Sequence, residues 1–223
     1  MVENVKPDVG ADLMRVHKAI TRAQDVIIER CTSYAQKGFP DETVRQGFID
    51  YVRSYATFLN GHHLTEDELA FPQFQAKFPD APVAQLMADH RKMIPILDEI
   101  NSLVEELTAD SQDKDALSAL SKATARLKEI WHPHIGIEEE VFSSQKLNAV
   151  FTTDEQVNMG QTMAQHAMKN TGPDYLLVPF YLYNLVPADR AELARALPPV
   201  ITEQLIPVVW KEKWAPMKPF LLE

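Results

Sequence analysis

The sequence contains little of what secreted and membrane-inserted proteins depend on. Its 223 residues include one cysteine, Cys31, so no disulfide can form within the chain. The longest apolar stretch, Tyr175–Val186, is too short to span a bilayer and contains Pro179. Residues 1–10 lack the apolar segment of a secretory signal. We therefore expect a cytoplasmic protein in which Cys31 is a small buried or half-buried residue of a helix.

Acidic residues outnumber basic residues in this chain. The chain has 22 Lys and Arg against 32 Asp and Glu, which gives a net charge of −10. Nucleic acids and anionic membrane surfaces are bound by basic patches, so we expect neither as a partner. A hydrophobic fraction of 45% is ordinary for a globular protein, and the length suits one large domain or one domain with an extension.

Patterns typical of β-strands are almost absent, whereas helical patterns are long and end at glycine or proline. They predict an all-α protein whose first four helices cover about 10–36, 41–70, 82–108 and a segment after the polar loop at 110–113. The second helix is expected to stop before Pro72. On the third, Leu86, His90, Ile94 and Leu97 are predicted to share one apolar face.

A histidine followed four residues later by a glutamate occurs twice, as His62 with Glu66 and as His134 with Glu138. Residues four apart share one face of an α-helix, so each helix can direct an imidazole and a carboxylate at one point. Two such helices facing each other could hold a pair of metal ions. One such pair alone would more often be an ordinary surface contact.

His17 and His90 each lie alone in a long helical pattern, one before each pair, so that each of the four helices contributes a histidine. This order resembles the hemerythrin-like family, also called HHE cation-binding domains, over roughly residues 8–145. The resemblance implies an up-down four-helix bundle with a non-haem di-iron site. It implies six metal ligands: His17, His62, Glu66, His90, His134 and Glu138.

The chemistry of such a site is consistent with these side chains. Imidazole and carboxylate suit iron, although manganese or zinc would also be accepted. Each Glu could bridge two ions, and the positions left over would take solvent, oxo or hydroxo groups. Oxygen-carrying hemerythrins have a second histidine on the third helix, four residues from the first. Here Leu86 and Ile94 stand at those positions, and His63 is a possible substitute ligand.

Two functions remain open on this basis. The first is a di-iron protein that reacts with dioxygen, peroxide or another small diatomic molecule, as a possible oxidase or peroxide-decomposing enzyme. The second is a non-enzymatic iron or oxygen sensor, or a metal-binding module, in which metal binding orders the bundle. A metal-free helical interaction protein is a third alternative.

We divide the chain into a metal-binding bundle at 8–147 and a helical extension at 148–223. Thr152 to Glu155 reads as a capping box, and Pro187 as a helix start. The extension contains six large aromatics: Phe180, Tyr181, Tyr183, Trp210, Trp214 and Phe220. We expect them to pack on the bundle or on a second subunit, as in a homodimer.

Several other polar residues receive structural interpretations. Glu68, Glu139 and Glu140 are predicted to form solvated acidic patches, although one of them could orient a ligand histidine. His132 lies on a different face from His134 and is assigned to the surface. His166, in the extension, is assigned a structural role.

Overall fold

The computed structural model describes residues 7–109 and 114–222. The described chain is almost entirely helical and contains no β-strand, which confirms the all-α prediction. Four long helices form the bundle: α1 (Val9–Lys37), α2 (Glu42–Thr65), α4 (Val83–Ala109) and α5 (Lys114–Val141). α1 and α4 both pack against α5 and against α2, which closes the ring. The predicted polar loop at 110–113 lies outside the described residues.

The second helical region continues past Pro72, where the sequence predicted that it would end. α2 passes into a π-helical segment, Glu66–Ala70, and then into α3, Phe71–Lys77. The expected stop before Pro72 is therefore wrong. Pro72 occupies the first turn of α3, where the hydrogen-bond register has just changed and a missing N–H is tolerated.

The chain beyond α5 forms seven further regular segments. They are α6 (Ser144–Val150), α7 (Thr153–Asn170), α8 (Asp174–Tyr183), α9 (Pro187–Ala196), a π-helical segment (Ile201–Val209), and α10 (Lys211–Trp214), which runs into a 3-10 turn (Ala215–Phe220). Thr152 and Glu155 form the predicted capping box of α7, and Pro187 opens α9 as predicted. None of the described helices is both long and apolar enough to cross a membrane.

Aromatic side chains join this extension to the bundle. Phe180 and Phe220 are buried, and their rings contact Tyr51 and Phe48 of α2. The 3-10 turn approaches α2 so closely that a Cβ on Gly47 would lie 1.9 Å from the carbonyl oxygen of Pro216. Glycine is therefore required at this crossing.

A buried polar network supplements these apolar contacts. The Tyr51 hydroxyl donates to Asn184 Oδ1 at 2.7 Å, and Arg22 donates to the same oxygen and to the carbonyl of Phe220. These hydrogen bonds connect α1 and α2 to the end of α8 and to the C-terminal part of the chain.

The apolar interior is divided into two clusters. The larger contains Ile20, Met93 and Trp131, and the smaller contains Leu13 and Leu86 together with several phenylalanines. Each bundle helix carries polar residues at the level between them. This polar layer is the candidate functional site.

Candidate metal centre

All six residues predicted as ligands lie together in the polar layer of the bundle. α1 contributes His17, α4 contributes His90, and α5 contributes His134 and Glu138. Their side chains are 0–1% exposed, and that of His62 is 7% exposed. The apolar stripes that bury each helix face also turn these polar side chains inward.

Glu66 is the first residue of the π-helical segment. The N–H of Phe71 bonds to the carbonyl of Glu66, so residues five apart share a face there. Glu66 and Phe71 are each 1% exposed. The extra residue in this turn keeps both Glu66 and the following phenylalanines directed at the interior.

The first donor set consists of His17, His62, Glu66 and Glu138. His17 Nε2 lies 3.2 Å from Glu138 Oε2, and His62 Nε2 lies 3.3 Å from Glu66 Oε2. Neighbouring ligands of one ion with bonds of about 2.1 Å are separated by roughly 3 Å. The observed separations therefore suit donors that share an ion.

The second donor set consists of Glu66, His90, His134 and Glu138. His90 Nε2 and His134 Nε2 lie 3.1 Å apart. His90 Nε2 lies 3.5 Å from Glu66 Oε2, and His134 Nε2 lies 3.4 Å from Glu138 Oε1. Glu138 thus directs one oxygen at each set, whereas Glu66 Oε2 faces a histidine of both.

His63 joins the second set from the adjacent position on α2. It is 4% exposed, its ring stacks on that of His90 with centroids 3.9 Å apart, and it groups with His90 and His134 as a potential ligand. It therefore lies beside His90, in a position to act as a further ligand of the second set.

Many polar atoms of this layer lack a hydrogen-bond partner. Both oxygens of Glu66 and of Glu138, both ring nitrogens of His63, and Nε2 of His17 and of His62 are buried without a hydrogen bond among the described residues. Leaving so many buried polar atoms unsatisfied is costly, and a cation would satisfy them together. The donors present therefore fit a metal centre.

The electrostatics of the layer also favour an added cation. Burial raises the pKa of Glu66 well above its usual range, and the charges of Glu138 and Asp67 raise it further. Burial lowers the pKa of His62 and of His63 well below the ordinary value, and neighbouring histidines lower both further. Two carboxylates in an apolar interior repel each other, and divalent ions between them would remove that repulsion.

The pKa values of His134 and His17 are shifted in opposite directions. Burial lowers the pKa of His134 to about 4, although Glu138 opposes the shift. Burial also tends to lower the pKa of His17, but the nearby carboxylates of Glu138 and Glu139, the latter hydrogen-bonded to Nδ1, outweigh it and raise the pKa. His134 is therefore neutral at pH 7, the state in which an imidazole binds a metal.

A second carboxylate follows each shared glutamate and contacts a histidine from another helix. Asp67, after Glu66, accepts from His90 Nδ1 at 2.8 Å; Glu139, after Glu138, accepts from His17 Nδ1 at 3.0 Å. Such outer carboxylates fix the tautomer and orientation of a ligand histidine. The sequence suggested this role for Glu139 as one of several acidic residues but missed Asp67.

Trp131 forms the apolar floor of the layer. Its ring contacts those of His17, His62, His63 and His134, with centroids 5.4–6.1 Å apart. The indole N–H donates to Thr21 Oγ1 at 2.8 Å, so the indole has no need of a partner inside the site. The floor therefore restricts water on that side.

Three further expectations have different outcomes. Ile94 is 46% exposed, so its predicted place on the inner face of the third helix is wrong. Positions 86, 90, 93 and 97 face inward instead, because a 3.6-residue repeat alternates steps of three and four.

His132 is exposed, as its face indicated. His166 reaches towards the Glu66 segment, a contact that no sequence spacing encodes.

Fold and site together define a helical bundle with a buried histidine–carboxylate cation centre. A family model described as the Hemerythrin HHE cation binding domain matches residues 9–145. The chain belongs to this family, which confirms the resemblance and the binding of cations within a helical bundle. No curated protein and no solved structure matches the chain significantly. The division at residue 147 stays a prediction.

Proposed function

We propose that this protein is a non-haem di-iron protein that binds and reacts with dioxygen or peroxide. The observation that carries the proposal is the pair of four-donor sets that share Glu66 and Glu138. Iron bound there would supply redox electrons and coordination positions that the protein does not fill. The assignment of His17, His62, Glu66, His90, His134 and Glu138 as ligands, with His63 as a possible seventh, is part of the proposal.

The surroundings of the site support a small reactant. All of the proposed ligands are buried or nearly so, and Trp131 and Phe71 cover two sides of the histidine cluster. A diatomic molecule or peroxide fits such an enclosed place, whereas a bulky organic substrate would require the helices to separate. Asp67 and Glu139 hold the imidazoles of His90 and His17 in one orientation, so little rearrangement is needed when a ligand enters.

A sensor of iron or oxygen is the second candidate. The contact of His166 with Thr65 and Glu68 favours it, because it connects the extension to the side chains of two residues on either side of Glu66. Metal binding could thereby alter how the extension packs. Turnover separates the candidates, since a sensor reacts once per site, whereas an oxidase or peroxide-decomposing enzyme consumes many equivalents.

The decisive experiment uses full-length protein purified without oxygen and loaded with ferrous iron. We expect two iron ions per chain, one for each donor set. Mixing with dioxygen or peroxide should change the near-ultraviolet absorption rapidly and consume several equivalents of oxidant. One stoichiometric event would support the sensor. Protein that binds no iron, manganese or zinc would contradict both candidates.

The ligand assignment has a separate test. We expect His62→Ala and Glu138→Ala each to lose at least one metal ion per chain, because each removes a donor from the first set. Glu140→Ala is the matched control, since Glu140 lies on the same helix and is exposed. Full metal occupancy in both site variants, measured by elemental analysis, would show that the assignment is wrong.

A further inference from the structure

Helix α7, which lies outside the residues matched by the family, contacts the segment that carries Glu66. His166 Nε2 donates to Glu68 Oε2 at 2.8 Å, and His166 Nδ1 lies 3.0 Å from Thr65 Oγ1. Thr65 directly precedes Glu66, and Glu68 follows it by two residues. One imidazole from the extension therefore holds the chain on both sides of a shared carboxylate.

The C-terminal end of α7 makes a second contact with α2. A Cβ on Gly61 would lie 2.2 Å from Thr171 Cγ2, so the helices meet without room for a side chain. Gly61 directly precedes His62, and its carbonyl accepts from the Thr65 hydroxyl at 2.8 Å. α7 thus contacts the stretch that carries His62 and Glu66 at two places, near Gly61 in α2 and near Glu68 in the π-helical segment.

Glu66 depends on such external support for two reasons. Neither of its oxygens has a hydrogen bond among the described residues, so no hydrogen bond to the side chain helps the backbone to place it. That backbone is π-helical, a conformation that occurs in short pieces and at functional sites. Contacts that fix Thr65 and Glu68 therefore determine where Glu66 Oε2 lies relative to His62 and His90.

We propose that His166 is a positioning residue of the metal centre: it fixes the π-helical segment so that Glu66 can be shared by both donor sets. This inference rests on the proposed binding of metal by those sets. The extension is then part of the site rather than an appendage to it.

The test compares His166→Ala with Gln165→Ala, an exposed neighbour on α7, in the full-length chain. Cobalt(II) is the probe, because its visible spectrum reports its coordination without any assay of activity. We expect His166→Ala to weaken cobalt binding by about 10- to 100-fold, the range for partners that orient ligands, and to alter the spectrum. Gln165→Ala should match the wild type.

Two further variants make the test specific. His166→Gln keeps an amide donor for Glu68 and should restore part of the affinity and the wild-type spectrum. Glu68→Gln, at an exposed carboxylate, should shift the spectrum in the same direction as His166→Ala and serves if that variant does not fold. Unchanged affinity and spectrum in the folded variants would overturn the inference, even if they melt at a lower temperature. Wild-type protein that takes up no cobalt would instead count against the proposed function.

Discussion

At the residue scale, the donor side chains of the centre do not satisfy one another's polar atoms without a cation. Two glutamates and five histidines occupy one buried layer, and most of their polar atoms lack protein partners. A protein stabilises such a layer only if something else completes it. Two acids at the edge of this layer, Asp67 and Glu139, hydrogen-bond to His90 and His17 and orient the rings of these histidines.

We expect Asp67→Asn and Glu139→Gln to weaken metal binding by about 10- to 100-fold each, because an amide is a poorer acceptor from the ligand histidine. Glu140→Gln, which removes an exposed charge beside Glu139, is the control for simple loss of negative charge. Competition with a chelator of known affinity measures the effect. Equal affinities in all four proteins would mean that the outer carboxylates do not orient the rings.

The site was predictable from the sequence where it depends on spacing within one helix. That His62 lies beside Glu66, and His134 beside Glu138, follows from the four-residue spacing, whereas their assignment as ligands came from the family resemblance. The pairing of Asp67 with His90 joins two helices, and local spacing carries no information about which residues meet across a bundle. The contact of His166 with Glu68 spans 98 residues and was missed for the same reason.

At the element scale, helix boundaries follow from capping chemistry more reliably than from proline. Asp8, Asp41 and Thr152 each accept a backbone N–H at the start of a helix. Pro72 was misleading because the π-helical turn before it changes the hydrogen-bond register, and a sequence contains no clear signal for such a turn. Pro95 and Pro133 likewise lie inside helices that continue past them.

The cap of α1 gives a pH-dependent prediction. Burial tends to raise the pKa of Asp8, but bonds from Ala11, Ser144 and Asn148 hold it below its usual 3.8. Its contribution to stability is therefore complete above pH 3.8 and lost as the pH falls through the lower folded-state value. At pH 7 we expect Asp8→Ala to cost about 1 kcal/mol in the free energy of unfolding.

That cost should shrink in acid, because the wild-type carboxyl is then protonated and caps less well. Asp8→Asn is the control, since asparagine caps comparably and does not titrate. Urea unfolding of the three proteins at pH 7 and at about pH 3 measures the difference. A cost for Asp8→Ala that is the same at both pH values would contradict the assigned role.

At the scale of the whole molecule, the bundle and the extension share one apolar cluster, in which Phe48 and Tyr51 meet Phe180 and Phe220. The sequence predicted that these aromatics need a partner surface. It left open whether that surface is the bundle or a second subunit, because burial patterns do not identify the covering element. The homodimer stays a prediction.

We expect Gly47→Ala to destabilise the protein by about 1–3 kcal/mol, the usual cost of forcing an extra carbon into packed structure. The added methyl group would meet the Pro216 carbonyl and push the 3-10 turn away from α2. Gly160→Ala is the matched control within α7, where a Cβ meets nothing within 4 Å. Alanine there should be neutral or stabilising by up to about 1 kcal/mol.

Denaturant unfolding of both variants compares the two glycines directly. Equal stabilities would mean that the chain end does not depend on this close approach. A lower stability with unchanged metal content would locate the damage at the crossing of α2 with the 3-10 turn, away from the polar layer.

The sharing of Glu66 and Glu138 has a thermodynamic consequence for how the centre fills. With a single ion, the histidines of the other donor set would have no metal, and each shared carboxylate would contact one ion instead of two. The buried side chains would nevertheless have lost all of their hydration. If two ions bind, the second would enter a layer that the first has already ordered, which would favour its binding against the repulsion between the two cations. We therefore expect loading to be cooperative, with singly filled chains scarce at every point of a titration.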